Sequence, residues 1–181
     1  MHTHFHNIPS SLIKKAQSVK ILITDCDGVL TDNGVYYSEE GEIMKRFSIR
    51  DGMGVERLRN LVHVDTAIMT GESSGSVAKR AEKLKLPYLF LGVKDKKNAL
   101  TKWMAETGIK TEEIAYIGDD ANDIDIIQMV GISATPADST PFTAAIVDFI
   151  CKEKGGYGAF REFAEFIIFA KLNYSPEKNK S

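Results

Sequence analysis

Only two cysteines, Cys26 and Cys151, occur in the chain, and their spacing fits neither a thiolate metal site nor a disulfide framework. Both read as reduced thiols, which suits a cytoplasmic protein. A basic surplus is also missing: 23 Lys and Arg stand against 25 Asp and Glu, a formal net charge of −2. Proteins that neutralise nucleic-acid phosphates usually need that surplus, so nucleic acid is not an expected partner. No apolar run approaches the roughly 18 residues that span a bilayer, and Met1 to Asn7 are polar without a signal-type apolar core. The expectation is a protein neither inserted into a membrane nor exported. Histidine is scarce, and His2, His4 and His6 sit together at the start. Alternate histidines on an untethered terminus read as a solvated tail before they read as a metal clip.

What remains is an ordinary globular composition, 43% hydrophobic and 27% charged. At 181 residues the chain is expected to form one domain over 1–181. Within it we distinguish an N-terminal segment at 1–17, an insertion at 33–49 and a polar tail at 173–181.

Short apolar runs bounded by turn residues recur at Ile21 to Thr24, Thr66 to Met69, Tyr88 to Leu91, Ile114 to Ile117, Ile132 to Ala134 and Asp148 to Ile150. They read as buried strands. Helical spacing lies between them, as in Val55, Leu58 and Val62, or Val77, Ala81 and Leu84. Alternating strands and helices predict a doubly wound, Rossmann-like α/β fold with a parallel sheet. The insertion breaks this rhythm. Val35 to Tyr37 and Met44 to Ser48 read as a β-hairpin joined by Ser38 to Glu42. Gly155-Gly156-Tyr157-Gly158 reads as a flexible link into a last amphipathic helix.

In such sheets ligands bind beyond the carboxyl ends of the strands. Polar residues fall just there: Asp25 and Asp27 after the first run, Thr70 after the second, Lys96 after the third, and Asp119, Asp120 and Asp123 after the fourth. Taken singly, Asp27 and Asp123 read as turn or helix caps. Taken together, several carboxylates at buried strand ends need a cation, and hard oxygen ligands without thiolate or imidazole point to Mg2+. A carboxylate nucleophile beside such an ion suits phosphoryl transfer. Asp25 is the nucleophile in this reading, and Asp27 the general acid and base, with a raised pKa beside other carboxylates. Thr70 and Lys96 hold the phosphoryl oxygens.

These residues resemble the four motifs of the haloacid dehalogenase (HAD) superfamily of phosphatases: DCDGVLTD from Asp25, the Thr70-Gly71 step, Lys96, and GDDANDID from Gly118. The resemblance implies an aspartyl-phosphate intermediate on Asp25. It implies magnesium held by Asp25, the main-chain carbonyl of Asp27, and Asp119, with Asp120 and Asp123 supporting them. The short insertion leaves no room for a cap domain. The chain resembles the capless branch acting on 3-deoxy-D-manno-octulosonate (KDO) 8-phosphate and on the nine-carbon KDN and N-acylneuraminate 9-phosphates. That likeness rests on Gly41-Glu42, Phe47, Arg50-Asp51-Gly52-Met53-Gly54, and the stretch from Gly155 to Glu162. It implies a homotetramer in which the hairpin and the glycine segment help to close neighbouring sites, and a place in lipopolysaccharide or sialic-acid-like glycan synthesis.

Substrate residues divide. Gly71-Glu72, with Arg80 and Lys83, looks like the nine-carbon group, whereas Arg50-Asp51-Gly52 looks like the eight-carbon group. Arg50 would pair with a substrate carboxylate, or with a structural partner. Arg80 and Lys83, three apart on one helix face, would meet an anionic substrate while Glu72 accepts from sugar hydroxyls; equally, all three would cover a solvated face. A receiver-type phospho-aspartate switch and a phosphatase of other small phosphosugars stand as alternatives.

Overall fold

The protein is described here from a computed structural model, over Phe5 and residues 8–173. The three N-terminal histidines and residues 174–181 lie outside the described residues.

Seven helices and eight strands follow one another in the described chain: α1 (Ser10–Ser18), β1 (Ile21–Thr24), β2 (Val35–Ser38), β3 (Gly41–Lys45), α2 (Ile49–Val62), β4 (Asp65–Met69), α3 (Gly75–Leu84), β5 (Tyr88–Phe90), α4 (Lys96–Thr107), β6 (Ile114–Ile117), α5 (Ile124–Ile127), β7 (Ile132–Thr135), α6 (Pro141–Ala144), β8 (Phe149–Ile150) and α7 (Ala159–Asn173). Six strands form a parallel sheet in the order β5-β4-β1-β6-β7-β8. The predicted doubly wound α/β fold is therefore the observed one, with strand limits within a residue of those read from the apolar runs. Those runs are continuous because both faces are covered: Leu22 of β1 packs with α1, α2, α3 and α7, while its neighbours Ile21 and Ile23 pack with α4 and α5.

Helix starts are set by side chains that accept orphan amides. Ser48 Oγ accepts from the Arg50 and Asp51 amides at the head of α2, and Asp95 from Asn98 N at the head of α4. Asp51, buried in the first turn of α2, accepts from Arg161 N at 2.9 Å and so caps α7 across the interface between α2 and α7. Burial pushes its carboxyl up to about 6 despite that hydrogen bond.

The hairpin differs from the expected one. Its second strand is Gly41–Lys45, not Met44 to Ser48, and its turn is Glu39-Glu40, not five residues. Gly41 adopts φ +113, which lets the chain reverse early. A bulge between Tyr36 and Tyr37 absorbs the extra residue. Ser48 is then free to cap α2.

Candidate active site

The chain runs outward from β1 through β4 to β5, then returns to lay β6, β7 and β8 on the other side of β1. The crevice at this reversal is where loops from neighbouring strands part, and the acidic cluster lies there. A cleft of about 210 Å³ is lined by Asp25, Asp27, Thr70, Gly71, Asp119 and Asp120, with Asn33, Glu72 and Asn122 completing its wall.

Asp25 leaves β1 with its amide on Ile117 O at 2.9 Å. The following turn is wound tightly, Cys26 O accepting from the amides of Leu30 at 2.9 Å and Thr31 at 3.1 Å. Gly28 sits at φ +80, and a Cβ there would fall 1.9 Å from Asp119 Oδ2. Only glycine both makes the turn and leaves that space to a carboxylate.

Lys96, the first residue of α4, is buried beneath the cluster and bridges Asp25 Oδ2 at 2.8 Å and Asp123 Oδ1 at 2.6 Å. Burial would lower its pKa, but the two carboxylates outweigh that and raise it. Asp123 is fully engaged. Its Oδ1 also accepts from Tyr116 Oη at 2.5 Å, and its Oδ2 from the amides of Asp119 and Asp120 at 2.9 and 3.3 Å. It therefore shapes the fourth loop and orients Lys96.

Oxygens of Asp25, Asp119 and Asp123 lie within 4.8 Å of one another, all three residues buried. Burial first, then the charge of Asp123, pushes the Asp25 carboxyl up to about 6 against the pull of Lys96. Burial, then Asp25 and Asp123, pushes Asp119 up to about 7. Asp119 receives a long 3.4 Å hydrogen bond from Asn33 Nδ2. With Asp123 saturated, Asp25 and Asp119 have the lone pairs left for a cation, and an all-oxygen donor set suits a hard divalent ion. The residues present fit Mg2+.

Asp27 has a different neighbour from the carboxylates expected around it. Lys45, at the end of β3 and 8% exposed, donates to both Asp27 oxygens at 2.6 and 2.7 Å. Sequence reading missed Lys45 because nothing in a hairpin strand marks one lysine as buried. It missed Tyr116 for the opposite reason: the residue fits an apolar run. Asn33, at φ +62, was hidden in a turn.

The structure brings Asp25, Asp27, Thr70 and Asp119 to one cleft, with Lys96 on Asp25 from below. It also brings Gly71 and Glu72, the latter held by Lys94 at 3.2 Å. Arg50, Arg80 and Lys83 do not line the cleft. Arg50 borders a larger cavity of about 480 Å³ between α2 and α7, which has none of the clustered carboxylates. Arg80 donates to Ser48 O at 2.8 Å and lies over the Phe47 ring. Lys83 is exposed on α3.

The chain is 35% identical to the 3-deoxy-D-manno-octulosonate 8-phosphate phosphatase of Haemophilus influenzae over 158 residues, 87% of each chain. It belongs to the KDO 8-phosphate phosphatase family of HAD-like hydrolases. The haloacid dehalogenase-like hydrolase family matches residues 91–159 directly. A probable YrbI-family phosphatase from Pseudomonas syringae has the same fold, with a TM-score of 0.87 and 36% identity, over 93% of this chain and 96% of that one. The Moraxella catarrhalis KDO 8-phosphate phosphatase, solved with magnesium, phosphate and KDO, gives a TM-score of 0.86 and 34% identity over 91% and 94%. As a member of this family the protein is a HAD phosphatase, and the receiver-type switch does not apply. Like the capless members it carries only the β2-β3 hairpin between β1 and α2. Among the described residues no helix is long and apolar enough to cross a membrane.

Proposed function

We propose that the protein hydrolyses the terminal phosphate monoester of a 2-keto-3-deoxy sugar acid, KDO 8-phosphate being the first candidate, through a phosphoryl group carried on Asp25. The observation that carries this reading is the convergence of Asp25, Asp27, Thr70 and Asp119 on one phosphate-sized cleft, with Lys96 on Asp25. An Asp25 oxygen attacks phosphorus, the ester oxygen leaves with a proton from Asp27, and Asp27 then takes a proton from the water that cleaves the acyl phosphate. Lys45 fixes both Asp27 oxygens and so aims the carboxyl at the leaving group. The Thr70 hydroxyl donates to a phosphoryl oxygen, and Lys96 balances charge beneath Asp25. Asp25, Asp119 and the main-chain carbonyl of Asp27 would hold Mg2+, which when bound neutralises charge on nucleophile and phosphate alike.

A second reading has a specific observation behind it: Glu72 stands at the cleft wall. A carboxylate there accepts from sugar hydroxyls, which suits a longer polyol such as KDN or N-acylneuraminate 9-phosphate. Arg50, Arg80 and Lys83 would serve either substrate only from a neighbouring subunit. The exposed apolar side chains of Tyr36, Tyr37, Ile43 and Met44 on the hairpin suit burial against another subunit, as in the homotetramer that the resemblance implies. Steady-state phosphate release with Mg2+ from the eight- and nine-carbon phosphates and from hexose phosphates tests the substrate. A kcat/KM at least about tenfold higher for one keto-sugar acid assigns it, and equal rates on all defeat the sugar-acid reading.

Mg2+ binding should release protons. Asp119 and Asp25, raised to about 7 and about 6 without metal, hold protons that the ion must displace. Affinity is therefore expected to fall by up to about tenfold per pH unit between pH 7 and pH 6, by up to about a hundredfold per unit below pH 6, and to level off above pH 8. Calorimetry in buffers of differing ionisation enthalpy reads this directly, and a proton count of zero at pH 6 would contradict it.

A further inference from the structure

The hairpin's foot and the glycine segment meet at a cluster that the chemistry above does not use. Arg46 follows Lys45 at the exit of β3. Its Nη1 donates to Gly156 O at 3.0 Å and lies 3.4 Å from Asp32 Oδ2, and its guanidinium sits over the Tyr157 ring, 4.3 Å from the centroid. Tyr157 Oη reaches the same Asp32 oxygen at 3.4 Å. One side chain thus joins three separate stretches: the nucleophile loop at Asp32, the hairpin at residue 46, and the glycine segment at Gly156 and Tyr157.

The glycine segment lies directly on the nucleophile loop. Gly156 N donates to Val29 O at 2.9 Å. A Cβ on Gly155 would fall 1.9 Å from Gly28 O, a contact with backbone that has nowhere to go. Gly28 is the turn that seats Asp119 beside Asp25, and Lys45 is the ammonium on Asp27. The segment's glycines are buried but bring no side chains to pack, and apart from the Arg46 cluster it is held by main-chain amides, Gly156 on Val29 O and Gly155 on Asp138 Oδ1 at 3.0 Å.

We propose that Arg46 is a positioning residue: by latching Asp32, Gly156 and Tyr157 together it keeps the glycine segment pressed on the Gly28 turn and Lys45 seated on Asp27. The activity part of this rests on the phosphatase reading, while the latch itself does not. Arginine suits the position because a planar fork donates in its own plane while its face stacks on an aromatic ring. Lysine would keep the charge towards Asp32 but lose the simultaneous reach to Gly156.

Arg46→Gln and Arg46→Lys test it by amide hydrogen exchange and kinetics on the full chain. In Arg46→Gln the Gly156 amide is expected to exchange at least about tenfold faster, with Ile23 and Tyr116 amides in the central strands unchanged. With Mg2+, kcat should fall roughly tenfold or more while KM stays within about twofold, because misplaced groups cost the chemical step more than binding. Arg46→Lys should recover part of both. Unchanged exchange at Gly156 overturns the latch, as does a lower melting temperature with kcat intact. If the unaltered protein releases phosphate from no ester, the phosphatase reading fails, and exchange at Gly156 still decides the latch.

Discussion

Asp25→Asn is expected to lower kcat/KM by at least about 10³-fold, because the amide cannot form the acyl phosphate and no neighbouring group can replace it. Asp27 is tied to Lys45, Asp119 is the other carboxylate left to the cation, and Asp123 has both oxygens engaged. The loss should come without unfolding. The folded pKa of Asp25 is raised from 3.8 to about 6, so the stability that its neutral form contributes is complete below pH 3.8 and is lost as pH rises through 6. At pH 8, without metal, a neutral isostere removes that penalty, and its melting temperature should equal or exceed that of the parent. Calorimetry beside phosphate-release kinetics separates the two effects. Retention of a tenth of the activity would rule out Asp25 as the nucleophile.

Lys96→Met should give the largest loss of stability. It removes the ammonium from between Asp25 and Asp123, at 2.8 and 2.6 Å, and leaves carboxylates facing one another out of water. Breaking a buried pair in this way costs about 3–5 kcal/mol, which in a chain of this size corresponds to roughly 6–20 °C in melting temperature. The cost depends on pH in a definite direction. Asp25 already has a raised pKa that Lys96 holds down, so it rises further without the lysine, protonates on acidification and the penalty shrinks. The variant should therefore approach the parent near pH 5 and fall away from it towards pH 8, and saturating Mg2+ should restore part of the difference. Melting curves at both pH values, with and without Mg2+, check this. A loss below 1 kcal/mol that ignores pH would mean that Lys96 does not balance the cluster.

Much of the site was legible because strand ends deliver their next residue to one edge. Asp25 after Thr24, Thr70 after Met69 and Asp119 just beyond Ile117 needed nothing but the position of the apolar runs. Lys96 was legible as a residue but not in its depth: the sequence does not say that a helix start lies under the sheet edge, where its ammonium meets two carboxylates. Lys45 was not legible, since the register of the hairpin decides it. With the strand placed at Met44 to Ser48, Lys45 is one of several polar residues in an exposed ribbon; with the turn at Glu39-Glu40 it ends β3 and points at Asp27. A shift in register of this kind changes which side chains face inward.

Arg80 and Lys83 mark the same boundary from the other side. Their spacing on one face of α3 was right, but where the helix points that face is a matter of packing, and Arg80 spends its donors on Ser48 O at the head of α2. Local pattern by itself determined the doubly wound sheet, the four acidic and polar loops and the absence of a cap, because alternation of apolar runs and turn residues is written along the chain. Tertiary structure alone decided which cations meet which carboxylates, Lys96 under Asp25 and Asp123, Lys45 on Asp27, Arg46 on Asp32. Those contacts join residues 14 to 71 positions apart, or fix a register that no local propensity specifies.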